Sequence, residues 1–116
     1  MARKKKKKNR VPKDVAEMIK TRSDGKCESM NFPICTGHAE YLHHRQLRSQ
    51  GGEHTIPNLI AVCSPCHTWF HREVKAAQSQ GWIVRSVHDP GETVMKYRGR
   101  TVLLTADGGV EYQVLG

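Results

Sequence analysis

The sequence predicts an α+β fold: one small domain whose centre is a strand–loop–strand–helix finger, tied by a structural zinc ion and followed by an antiparallel sheet. Three observations predict it. Two short apolar runs separated by a polar connection lead into a helical pattern between about residues 39 and 79. A Cys-x-x-Cys pair, Cys63 and Cys66, sits at the start of that helix, with Cys27 and Cys35 upstream. After Gly81 the spacing of apolar residues changes to alternation. With 116 residues and 37% hydrophobic content, the chain can bury only a modest core, and a bound metal is a common supplement at this size.

Residues 1–13 carry eight basic side chains and no acid, and the other 103 residues carry eleven of each sign. The whole excess of +8 therefore lies in this segment, which is expected to be a disordered basic tail because like charges repel. Its functional reading is a salt-sensitive arm for phosphates, and its bland reading a solubilising tail. Order begins around Val11-Pro12-Lys13-Asp14, where Val15, Met18 and Ile19 define one face of a short helix that Ser23-Asp24-Gly25 ends. Cys27 to Cys35 reads as a loop, since Asn31 and Pro33 break any regular pattern.

Residues 39–44 read as a strand delivering His43 and His44 at its end, and residues 58–62 as its partner. Arg45 to Pro57, with Gly51-Gly52 in the middle, is a long polar connection. Cys63-Ser64-Pro65-Cys66 forms a knuckle in which Ser64 can cap a helix and Pro65 suits its first turn. That helix is expected over about 65–79, with Gly81 as its stop. Alternating runs at 82–87, 93–97, 100–104 and 110–114 predict strands, with turns at Asp89-Pro-Gly, Arg98-Gly and Asp107-Gly-Gly. The expected organisation is a tail (1–13), a core with the zinc site (14–81) and a β extension (82–116).

No apolar segment follows the basic N-terminus as in a signal peptide, and no apolar run approaches membrane-spanning length, so a soluble cytoplasmic protein is expected. In that reducing compartment four thiols point to zinc rather than to cystines. Cys63 and Cys66 supply two thiolates on a tight turn, and Cys27 and Cys35 are the natural second pair. A competing set takes Cys63, Cys66, His71 and one upstream cysteine.

The window Glu40–His71 contains a histidine pair (His43, His44), Asn58, and a second pair (His67, His71) spaced four apart on one helical face. Imidazoles that hold a divalent cation and activate water are suited to phosphodiester hydrolysis. Adjacent residues of a strand point to opposite sides, so His43 can join a cation site with His67 and His71 while His44 faces the attacking water. His38, His54 and His88 read as surface residues, and Trp69 and Phe70 as packing residues. Arg45 and Arg48, beside the site, are candidate DNA phosphate contacts, with ordinary solvated arginines as the bland reading.

Residues 23–83, with the pattern HHR…SxGG…NL…VCxxCHxxxH…GW, resemble the HNH endonucleases, and among them those encoded by tailed bacteriophages. The resemblance implies a ββα-metal finger and a phosphodiester hydrolase acting on DNA. It makes His44 the general base and His43 and His67 ligands of one catalytic divalent metal (Mg²⁺, Mn²⁺, Ni²⁺ or Zn²⁺). His71 matches a further ligand found in some members, and Asn58 a catalytic-site residue that braces the loop. Products would carry a 5′-phosphate and a 3′-hydroxyl. Terminase subunits are a further partner by analogy, in genome packaging in the host cytoplasm; no membrane and no small-molecule substrate is expected. This chain departs from the family in placing seven residues between Cys27 and Cys35, where two is commoner. The alternatives are a non-catalytic zinc-finger-like module and an RNA-directed protein.

Overall fold

The computed structural model describes residues 10–114; most of the basic tail, including the lysine run, lies outside them. Helix α1 spans Lys13–Ser23 and ends at Asp24, whose φ of 56° is left-handed. Val11 packs against the cluster of Ile19, Leu59 and Ala61. A bridge between Lys26 and His38 then closes the loop that carries Cys27 and Cys35.

Strands β1 (Tyr41–His44) and β2 (Leu59–Val62) pair antiparallel, with His43 opposite Ile60 and His44 opposite Leu59. All of β2 is buried because it is covered on both faces. Ile60 and Val62 face the larger core cluster with Phe70 and Trp82, while Leu59 and Ala61 face Ile19 of α1.

Helix α2 (Ser64–Arg72) follows β2 directly. Its cap is Cys63, one residue earlier than the expected Ser64: the Cys63 sulfur accepts from the Cys66 amide at 3.4 Å. Glu40 adds a carboxylate on the Ser64 amide at 2.6 Å, where the positive end of a helix favours it. The expected single helix over 65–79 is two, because Glu73 (φ −112°, ψ 65°) interrupts it before α3 (Val74–Ser79). Gly81 follows with φ of 81°, and a side chain there would collide with the Val94 carbonyl and Met95.

Strands β3 (Met95–Tyr97), β4 (Arg100–Leu104) and β5 (Val110–Tyr112) form an antiparallel sheet in that order. The expected strand at 82–87 is absent. Trp82, Ile83 and Val84 are consecutively buried rather than alternating, and the Val84 amide bonds the Arg45 carbonyl instead of a sheet partner. The α+β class holds, and the sheet shares one core with the finger: Met95, Tyr97, Val102 and Leu104 pack with Cys27, Ile60 and Phe70. Among the described residues no helix is long and apolar enough to cross a membrane.

Candidate active site and zinc knuckle

The strand pleat separates the two adjacent histidines, as expected. His43 turns toward α2, in ring contact with Phe70, His67 and His71. One helical turn separates His67 from His71, and their Nε2 atoms stand 3.3 Å apart. Ligand nitrogens of His43, His67 and His71 all lie within 4.8 Å of one another. His43 Nε2 is 2.7 Å from the Trp82 carbonyl, which can only accept, so this nitrogen carries the proton and Nδ1 keeps the lone pair. A second ring nitrogen anchored to a backbone carbonyl is the usual support of a metal-binding histidine. The irregular path of residues 82–84 therefore serves the site.

Burial draws the His43 pKa down to about 3, against its bond to the Trp82 carbonyl, and the neighbouring imidazoles push the same way as burial. Burial first and His71 second lower that of His67. Neutral imidazoles offer the lone pairs a cation needs, so the donor set fits a divalent ion.

His44 lies on the opposite face of β1, half-buried, with Nε2 3.0 Å from Nδ1 of His54. Burial, then the electrostatic influence of His54 and Arg48, brings the His44 pKa down to about 4. It is thus neutral, with one ring nitrogen unprotonated, at neutral pH. His54, read from sequence as a surface residue, is half-buried and belongs to this environment. Its position four residues before Asn58, in the connection between the expected base and the brace, was the available signal.

Asn58 is buried at the end of a 3-10 turn (Ile56–Asn58). Its Oδ1 accepts from the Gln46 amide at 2.7 Å, and its Nδ2 donates to the Gln46 and Glu53 carbonyls. It clasps the two ends of the polar connection, so the segment after His44 and the segment carrying His54 are held by one side chain.

The two arginines part company. Arg45 is fully buried: its guanidinium donates to the carbonyls of Gly81, Pro57, Pro90 and Thr93. The expectation that it contacts DNA is corrected, because the side chain has no exposed surface and four of its five N–H donors are taken by backbone carbonyls. Arg48 is exposed, near enough to His44 to act on it by charge, and bonds the Gly52 carbonyl at 2.6 Å.

The four cysteine sulfurs also lie within 4.8 Å of one another, none in a disulfide. Backbone amides of Met30, Gly37 and Cys66 donate to the sulfurs of Cys27, Cys35 and Cys63. A hydrogen bond from Cys66 draws the Cys27 thiol well below its usual range, and the same bond pushes Cys66 up. One thiolate forms at its neighbour's expense in such a cluster, and a cation that stabilises all four resolves the conflict. The chemistry of four clustered sulfurs fits zinc. His71 groups with the imidazoles and not with these sulfurs, so the competing set that includes His71 is not brought together.

The strand–loop–strand–helix finger thus carries two candidate metal centres, the three-imidazole cluster and the sulfur cluster. Residues 33–73 match the family model of the HNH endonucleases. That segment contains His43, His44, Asn58, His67 and His71 and three of the cysteines; Cys27 and Trp82 lie outside it. No curated protein and no solved structure matches the chain. The match supports a nuclease-type function in general.

Proposed function

We propose that this protein is an HNH endonuclease that hydrolyses DNA phosphodiester bonds with His44 as general base. The observation that carries the reading is the division made by β1: His43 joins His67 and His71 in a site of converging lone pairs, while His44 stands beside it with its own partner. A divalent ion held by His43, His67 and His71 would supply positive charge to the phosphate as negative charge builds in the transition state. His44 removes a proton from the attacking water, a task suited to an imidazole that is neutral before the step. Attack at phosphorus with loss of the 3′ oxygen leaves a 5′-phosphate and a 3′-hydroxyl.

Asn58 keeps the connection after His44 in register, and Arg48 offers a phosphate contact at the exposed side. Cys27, Cys35, Cys63 and Cys66 hold a structural zinc that joins the N-terminal loop to the start of α2. The basic run at the N-terminus adds salt-sensitive DNA affinity. The resemblance to phage-encoded members supports a place in genome packaging beside terminase, in the host cytoplasm.

The test is relaxation of supercoiled plasmid with Mg²⁺, Mn²⁺, Ni²⁺ or Zn²⁺ added singly. Metal-dependent nicking that a chelator stops and that His67→Ala loses, with 5′-phosphate ends, is the expected result. DNA binding without cleavage under every metal would instead make the chain a zinc-finger-like module.

A further inference from the structure

We infer that His54 is a positioning residue for the reaction: it accepts a hydrogen bond from His44 and so fixes the ring orientation and tautomer in which His44 can act as the base. This rests on the assignment of His44 above. The observation is the 3.0 Å approach of His44 Nε2 to His54 Nδ1, with ring centroids 5.1 Å apart.

Two neutral imidazoles joined through these nitrogens can share the bond in only two ways. If His54 donates, His44 must hold its own proton on Nδ1, and both of its nitrogens are then engaged or protonated. No lone pair is left to receive a proton from water. If His44 donates from Nε2, its Nδ1 lone pair is open and the ring is a competent base. His54 must therefore carry its own proton on Nε2 and present Nδ1 as acceptor. When His44 takes the water proton at Nδ1, one proton moves and the Nε2–H···Nδ1 bond to His54 is kept.

The loop is built to hold His54 there. The carbonyl of Gly52 is gripped by Arg48 at 2.6 Å, that of Glu53 by Asn58 at 2.9 Å, and that of Thr55 by the Asn58 amide at 3.0 Å. Gly52 itself approaches the Gln46 carbonyl so closely that any side chain would overlap it. His54 thus stands in a segment whose backbone is fastened on both sides, facing the strand end that carries His44. This gives the brace residue Asn58 a second consequence: it sets the base's partner as well as the base's own strand.

The experiment uses the full chain with its zinc and single-turnover nicking under saturating divalent metal. His54→Ala should lower the cleavage rate about 10- to 100-fold, no more than the lower end of the roughly 10²- to 10⁴-fold that a general base contributes. DNA affinity, zinc content and thermal midpoint should be unchanged. His54→Asn, whose amide oxygen can take the place of Nδ1 as acceptor, should recover activity to within a few-fold of the parent. In a His44→Ala background, adding His54→Ala should cost nothing further, because a residue acting only through the base has nothing left to position. Nitrogen-15 spectra of the imidazoles should show His44 protonated at Nε2, and His54→Ala should lose that preference.

Full activity of His54→Ala beside an inactive His44→Ala overturns the inference and leaves the base assignment standing. Equal activity of His44→Ala and the parent removes both. An additional loss in the double variant, or a failure of His54→Asn to recover, would place the effect of His54 outside the hydrogen bond.

Discussion

Replacing Arg45 with alanine should destabilise the fold rather than weaken its grip on DNA. Four charge-assisted hydrogen bonds run from its guanidinium to the carbonyls of Gly81, Pro57, Pro90 and Thr93, at 2.8 to 3.1 Å. Such bonds are worth roughly 1.5–3 kcal/mol each, and desolvating the cation costs several kcal/mol in return. Burial draws its pKa down to about 9, so the group is still charged at neutral pH. Deletion leaves four carbonyls facing a cavity where loops 57, 81 and 90–93 converge, and a loss of about 3–5 kcal/mol is expected by comparison with other broken buried networks. For a domain of this size that lowers the thermal midpoint by roughly 10–20 °C. Thermal and urea unfolding of the zinc-loaded protein measure it. Arg48→Ala is the contrast: stability should hold within about 1 kcal/mol, while DNA affinity falls and its salt slope flattens by about one ion. Arg45→Ala as stable as the parent but weaker on DNA would refute the argument.

Three further outcomes follow from the same geometry. Cys27→Ser and Cys63→Ser should each lose zinc, read by elemental analysis, with a large fall in thermal midpoint; full zinc content in both would dissolve the four-sulfur site. Asn58→Ala should cost about 2–4 kcal/mol, since the Gln46 amide and two carbonyls lose their partner, and should reduce nicking more than DNA affinity. Glu28→Gln should cost about 3–5 kcal/mol, because Glu28 receives two bonds from buried Arg22, one from Tyr97 and one from the Ala61 amide. Urea unfolding within about 0.5 kcal/mol of the parent would contradict the Glu28 reading.

The features carried by short-range spacing were legible in the chain. His67 and His71 needed only a helix to share a face, His43 and His44 only a strand to diverge, and Cys63 and Cys66 only a tight turn. What escaped depends on distant backbone. Arg45 looks like any arginine after a histidine pair until carbonyls 12 to 48 residues away are seen around it. Trp82-Ile-Val has the composition of a strand, yet its backbone is diverted to serve His43 and Arg45. The pairing of Arg22 with Glu28 is likewise set by how α1 packs on β2 and not by local pattern. His54 gave no periodic signal because it sits in a connection whose shape Asn58 and Gly52 impose. The candidate site was thus legible locally, and its support is set at long range.

The most direct measurement is the single-turnover rate of phosphodiester cleavage by His44→Ala against the parent, at equal metal and zinc occupancy and saturating DNA. The account predicts a loss of roughly 10²- to 10⁴-fold with the thermal midpoint and DNA affinity retained. A rate equal to that of the parent would show that another group takes the proton, and the proposed chemistry would be wrong at its centre.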